Sequence, residues 1–407
     1  MNILLINHYA GSPDMGMEFR SYYMAREWAK SGHNVTIIAG NFSHLRRKNP
    51  SVGGDFTKEV IDGINYFWVK SGSYEGNGIK RAITMARFVG KLWMRAKWIA
   101  QELKPDVVIA SSTYPLDTYA AQRIRRYSGA KYIHEIHDMW PATLVELGGM
   151  PRWNPFVVVM QVAENSFCRH ADEICSLLPA AKEYLMRHGM KENKFHVIPN
   201  GIVCEEWSDP QPLDDKLAVK IKEWKNDGFF IVGYFGGHAL SNNLTILLKL
   251  ADREKDNKIK FVLVGEGTEK DKLIAYANDR GLENVEFWHA IPKRMVPSLV
   301  YEFDAIYMGA AKCSLYRFGV CMNKIFDSMM AAKPILYAVE AANNYIDQYR
   351  CGITVPADQL DGMQQGLEQL MSLSREEREK MGQNGRSAVL EHFQYGILAR
   401  KFMEIVQ

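Results

Sequence analysis

The sequence lacks a Cys-x-x-Cys pair, and its six cysteines, Cys168, Cys175, Cys204, Cys313, Cys321 and Cys351, lie scattered through 407 residues. In a chain of this size they read as free thiols in a reducing cytosol. The opening MNILLINHYAG is apolar but has no basic region of a signal peptide, and no uninterrupted apolar run is long enough to span a bilayer. A cytoplasmic protein is expected, with peripheral attachment to the inner face of the membrane left open. No Walker A sequence occurs. The GEGTEK stretch at 265–270 has Lys270 where a dinucleotide fingerprint would have its third glycine, which speaks against a dehydrogenase. Repeats and low-complexity tracts are missing too. The net charge of +3 gives no reason to expect a nucleic-acid partner.

What is present is a pattern that occurs twice. Short apolar runs alternate with stretches of helical period: NILLIN, NVTIIAG, PDVVIASS, KYIHEIH and FHVIPNG in the first half, FFIVGYFG, KIKFVLVGEG, NVEFWHA, FDAIYMG, KPILYAV and GITVP in the second. EVIDGINYFWV reads as a hairpin turning at Asp62-Gly63. Strand and helix in alternation imply parallel sheets covered on both faces. A polar stretch from 205 separates the two series, so two doubly wound domains facing a central cleft are expected. Charge divides with them: 25 Lys+Arg against 19 Asp+Glu in residues 1–205, and 25 against 28 in the rest. A basic first half suits an acidic partner or surface.

IHEIHDMWPA, residues 133–142, packs His134, Glu135, His137 and Asp138 into five positions. On a helix the two histidines would share a face, but Pro141 opposes a helix here. On a strand they point to opposite sides and do not share a metal ion, so no metal site is expected. His137 and Asp138 then fall at the carboxyl end of a parallel strand, where open sheets bind ligands. A strand cap and a ligand contact are equally compatible with that position.

In GYFGGHALSNN, Gly236 and Gly237 end a strand just before a helix, so backbone amides there can approach a phosphate; a tight strand-to-helix turn alone would also need a glycine. In GVCMNKIFDSMMAAKP, Lys324 and Asp327 lie three apart on one helical face. They are a solvated ion pair, or an ammonium facing a diphosphate beside a carboxylate that accepts from a ribose hydroxyl.

Taken together, these segments resemble retaining glycosyltransferases of family four, which have the GT-B fold. GMEFRSYYMAREWAKSGHNVTIIA is similar to that family's first helix and second strand, HVIPNGI to its interdomain hinge, VGEG to its second-domain glycine turn and MNKIFDSMMAAKPIL to its nucleotide-ribose motif. GMEFR, FSHLR and GGHALSNN resemble the branch of bacterial O-antigen, capsule and fucosamine transferases. Two departures stand out. The family's pair of glutamates eight apart is broken, with Gly319 at the first position and Asp327 at the second, and Ala332 replaces the glycine before Lys333-Pro334. A binding protein without activity thus stays open beside the enzyme.

The resemblance implies a division of labour. Residues 1–205, with a final helix at about 388–407 crossing back, would bind the acceptor, and residues 206–387 the nucleotide-sugar donor, a UDP-sugar being favoured. His137, Asp138 and Glu18 would be catalytic. Gly16, Gly236, Gly237, His238, Asn242, Gly265, Glu266, Ile291, Lys293, Asn323, Lys324 and Asp327 would contact the donor, with Lys293 flanking the base. His44, Arg46 and Tyr114 would contact a lipid-linked or saccharide acceptor. No cofactor is expected, because amides at helix N-termini and Lys324 would take the leaving charge. Residues 79–103 form a basic amphipathic helix in which Met85, Phe88, Leu92 and Ile99 share a stripe. That stripe faces either an anionic membrane surface or the sheet.

Overall fold

The computed structural model describes every residue except Met17, Glu18, Asn77 and Gln407, and only the backbone of Phe19 and Asp215. The chain divides into two compact units. The first comprises Met1–Asn200, Arg317–Cys321 and Tyr395–Gln407, the second Gly201–Tyr316 and Met322–Gln394. The division at Asn200 falls slightly ahead of the polar stretch.

In the first unit β1 (Asn2–Ile6), β2 (Asn34–Gly40), β3 (Thr57–Ile61), β4 (Ile64–Val69), β5 (Val107–Ala110), β6 (Lys131–Ile136), β7 (Glu173–Ser176) and β8 (Phe195–Val197) form one sheet, ordered β3-β4-β2-β1-β5-β6-β7-β8. Neighbours run parallel except β3 and β4, the expected hairpin, turned by Asp62 and Gly63 at φ 49° and 80°. The central strands are unbroken apolar runs, as they must be when both faces are covered; all four residues of β5 are buried.

The helix Ile79–Leu103 lies against this core. Met85, Phe88, Leu92 and Ile99 are each at most 1% exposed. The stripe offered to lipid in the sequence is therefore core, because burying such side chains is worth about 1.5–3 kcal/mol each. Ile79, Ile83, Trp93 and Met94 are its large exposed apolar residues, beside exposed Lys80, Arg87, Arg95 and Lys97. At the C-terminus the chain forms two helices, Arg375–His392 and Tyr395–Val406. Only the second belongs to the first unit, with Tyr395 against Tyr23 and Phe402 against Trp28.

The second unit holds β9 (Phe230–Phe235), β10 (Ile259–Val264), β11 (Val285–Trp288), β12 (Ala305–Gly309), β13 (Ile335–Ala338) and β14 (Gly352–Thr354), all parallel, ordered β11-β10-β9-β12-β13-β14. Leu247, Leu250, Phe261, Leu263 and Leu367 belong to its core. In each sheet the strand order reverses beside the first strand: β1 lies between β2 and β5, and β9 between β10 and β12. Carboxyl ends at such a reversal are where open sheets collect ligands.

Candidate functional site

In the first unit the carboxyl ends of β5 and β6 bring together Ser111, Glu135 and His137. Alternation along β6 places Glu135 and His137 on one side and His134 on the other. His134 is buried, stacked on Phe167 at 3.8 Å and within 3.0 Å of the Tyr132 hydroxyl; burial drives its pKa down to about 3. His134 is thus a core residue. His137 is partly buried, its Nε2 2.9 Å from Ser111 Oγ and 3.2 Å from Glu135 Oε2. Arg20 donates to Glu135 Oε1 from Nε at 3.1 Å and Nη2 at 2.8 Å, and the two side chains are 3% exposed. This arginine holds the Glu135 carboxyl far below the usual range against the cost of burial. Asp138 is exposed, and its carbonyl accepts from Trp140 N at 3.1 Å, in the turn that follows the strand. Glu18 lies outside the described residues.

In the second unit the turns after β9 and β10 interlock. Gly236 N donates to Val264 O at 3.0 Å, and His238 N to Glu266 O at 2.8 Å. The approach is so close that a Cβ on Gly265 would sit 1.8 Å from Gly236 O, and one on Gly267 2.2 Å from His238 O. Glycine is required at both. Beside this double turn Lys324 Nζ donates to Asn242 Oδ1 and, at 3.3 Å, to the Tyr234 hydroxyl. Asn242 Nδ2 and the Tyr234 hydroxyl both donate to Gly237 O, at 2.8 and 2.7 Å. Desolvation lowers the Lys324 pKa to about 8. His238 is fully buried with neither ring nitrogen hydrogen-bonded, and burial lowers its pKa to about 4.

Burial raises the Asp327 pKa to about 6, with the Lys293 charge opposing the rise and Glu206 adding to it; Lys293 pairs with Glu206 at 2.9 Å. Glu266 accepts from Lys270 at 3.0 Å and lies 2.6 Å from His289 Nδ1, and these bonds lower its pKa to about 2. The structure thus gathers Gly236, Gly237, His238, Asn242, Gly265, Glu266 and Lys324 around one double turn. Ile291 is half-buried and Asn323 exposed at the start of the helix Asn323–Met330. Gly16, at φ 66°, closes a single turn by bonding Pro13 O.

Two of the expected acceptor contacts are placed differently. Tyr114 is 1% exposed, its hydroxyl 2.8 Å from His8 Nδ1. Arg46 is buried, donating to Gly40 O at 2.9 Å and to Ala10 O, with its guanidinium over the Trp68 ring. Both are committed to the protein interior rather than offered to an acceptor. His44 is exposed and bonded to the Tyr74 hydroxyl at 2.6 Å. Sequence reading named Glu135 without giving it a role, and passed over Arg20, Ser111 and Tyr234. A glutamate inside a buried strand was the available signal, since a buried charge demands a partner. Among the described residues no group of three or more His, Cys, Asp or Glu side chains is arranged to hold a metal ion, and no helix is long and apolar enough to cross a membrane.

In architecture the chain is a two-domain α/β protein with parallel sheets, matching glycosyltransferases of the GT-B fold. The HepE structure from Anabaena, solved with UDP and glucose, superposes with a TM-score of 0.67 at 14% identity, over 99% of this chain and 98% of that one. WaaG, a glycosyltransferase involved in lipopolysaccharide biosynthesis, does so with a TM-score of 0.65 at 14% identity, over 100% and 99%. The sequence itself narrows the class. Residues 15–206 match Glycosyltransferase Family 4 and residues 215–388 match Glycosyl transferases group 1, so the chain is a glycosyltransferase with a family 4 domain followed by a group 1 domain. WbjE of Pseudomonas aeruginosa, a probable glycosyltransferase, is 21% identical over 334 residues, 81% of this chain and 80% of that protein.

Proposed function

We propose that the enzyme transfers a hexose or N-acetylhexosamine, with retention of anomeric configuration, from a UDP-sugar to a lipid-linked or saccharide acceptor in assembly of a bacterial surface polysaccharide of O-antigen or capsule type. The observation that carries the donor half is Lys324, a cation beside the Gly236–Gly237 turn with neutral partners only, Asn242 and Tyr234. The Gly236 and His238 amides are already given to Val264 O and Glu266 O, so a diphosphate meets the ammonium and the Gly237 amide there. Asp327 stands one helical turn on and takes a ribose hydroxyl. The HepE likeness, whose structure holds UDP, favours uridine, and the role of WaaG in lipopolysaccharide biosynthesis favours a surface glycan.

On this reading no metal is needed: the ammonium and the Gly237 amide stabilise the leaving diphosphate, and His137 touches the transferring sugar or the acceptor. The acceptor is met at the inner face of the membrane, to which the first unit attaches peripherally through the outer face of the helix Ile79–Leu103.

The test is a thermal-shift panel of UDP, GDP, ADP and dTDP, followed by donor hydrolysis and transfer assays in chelator. UDP is expected to raise Tm most, since a ligand bound only by the native state stabilises it. Lys324→Ala is expected to weaken UDP about tenfold or more while leaving uridine binding within about twofold. Equal loss for both removes Lys324 from the phosphate site. UDP binding with neither hydrolysis nor transfer favours a binding protein.

A further inference from the structure

Glu135 lies behind His137, and its four hydrogen-bonding contacts are all with the protein. Oε1 accepts twice from Arg20, Oε2 accepts from Ser111 Oγ at 2.6 Å and lies 3.2 Å from His137 Nε2. The remaining Arg20 donors run elsewhere: Nη1 to Pro199 O at 2.6 Å and Nη2 also to Ile198 O at 3.0 Å. Next in the chain, Asn200 donates its backbone N to Cys321 Sγ at 3.0 Å and Nδ2 to Cys321 O at 2.9 Å. Asn200 is where the chain leaves the first unit.

Counting hydrogens fixes what the histidine carries at Nε2. Ser111 has one hydroxyl hydrogen, and the 2.6 Å bond to a carboxylate, which has none to give, commits it to Glu135. Ser111 Oγ, 2.9 Å from His137 Nε2, therefore accepts there, so Nε2 carries the hydrogen. A neutral ring in that state accepts at Nδ1.

We propose that Glu135, anchored by Arg20, is a positioning residue that fixes His137 as its Nε2–H tautomer and ties the ring to the backbone of Ile198 and Pro199, just ahead of the point where the chain passes between its two units. Its catalytic consequence rests on the reading of His137 given above. Asp117, Asp138 and His134 also act on the ring electrostatically, but none bonds Ser111 Oγ in place of Glu135. Removing the carboxylate charge frees the Ser111 hydrogen to turn toward the ring.

The test reads the tautomer directly, by nitrogen NMR of the intact protein labelled at histidine, with His137→Gln assigning the signal. The wild type is expected to show hydrogen on Nε2. Glu135→Gln is expected to give a mixture of tautomers, lower the ring's titration midpoint by about one pH unit, and reduce kcat at least tenfold with donor KM within twofold. Glu135→Asp, which keeps the charge, recovers part of each. A folded Glu135→Gln protein with the wild-type His137 spectrum overturns the proposal. Ser111→Ala serves where Glu135→Gln does not fold: retention of the Nε2 hydrogen, now given to Glu135, supports the anchor, and its loss overturns it. Near-wild-type turnover of His137→Ala removes the catalytic consequence alone, since the spectrum reports the tautomer whatever the ring does.

Discussion

The two units hold their charges in opposite ways. In the first, Arg20 and Glu135 are a matched pair, 3% exposed, and backbone carbonyls, Ser111 and His137 occupy their remaining bonds. In the second, Lys324 leans on neutral Asn242 and Tyr234, and buried His238 bonds through neither ring nitrogen. The first arrangement is closed within the protein and orients a side chain. The second keeps a cation in poorly solvating surroundings, which suits an anion that arrives from outside. On the proposed function, the difference separates a site that positions from a site that binds.

The largest test of this contrast is stability. Arg20→Ala leaves Glu135 charged and buried without its arginine, and should cost about 3–5 kcal/mol. Lys324→Ala strands no opposite charge and should cost less than about 1 kcal/mol. Chemical denaturation of the two variants decides; equal losses would erase the distinction.

A second test uses pH. Lys324 has a pKa of about 8 in the folded protein against the ordinary 10.5 of a lysine in water. Between those values the unfolded chain holds more protons, so this group's contribution to the stability of the ligand-free protein rises as pH goes from about 8 to 10.5. Donor affinity is expected to move the other way, because the ammonium is being lost. At the acid end Asp327, with a pKa of about 6, loses its charge as pH falls. UDP should therefore bind tightest between about pH 6 and 8, and Lys324→Met should remove the alkaline limb alone. An alkaline limb that survives in Lys324→Met assigns it to another group.

Much of this was legible in the sequence, for physical reasons. Strand and helix differ in side-chain period, so the alternation and both sheets could be read, and the glycine turns announced themselves because only glycine permits the approach of Gly265 to Gly236 O. The strand-end position of His137 followed from period two. The partner of Glu135 did not, because Arg20 lies 115 residues away and spacing gives faces, not cross-sheet pairs. Tyr114 and Arg46 were misplaced for a similar reason: a polar tip says nothing of whether His8 or Ala10 already satisfies it. The stripe of Met85, Phe88, Leu92 and Ile99 showed that a face is apolar, but not what covers it.

The smallest effect is expected at that same helix, and it extends the contrast to the surface. With the stripe buried, lipid contact falls to Ile79, Ile83, Trp93 and Met94, which are 81%, 42%, 47% and 69% exposed, and to exposed Lys80, Arg87, Arg95 and Lys97. Trp93 is itself partly engaged, with the Arg123 guanidinium 3.4 Å from its ring centroid. Lys91 is bonded to Asp55 at 2.8 Å and the Lys70 carbonyl at 2.7 Å, so it has less to offer. So little apolar area leaves the cations, worth about 1 kcal/mol each at an anionic surface, as the main attraction. Co-sedimentation with phosphatidylserine vesicles should be weak and fall with salt. Charge reversal at Arg87, Arg95 and Lys97 together should reduce binding about tenfold or more, whereas Lys91→Glu should change it only a few-fold. Turnover with a water-soluble acceptor should be unchanged in all of them. Absent or salt-independent binding would leave this face as an ordinary solvated surface and assign the acceptor's delivery to another part of the chain.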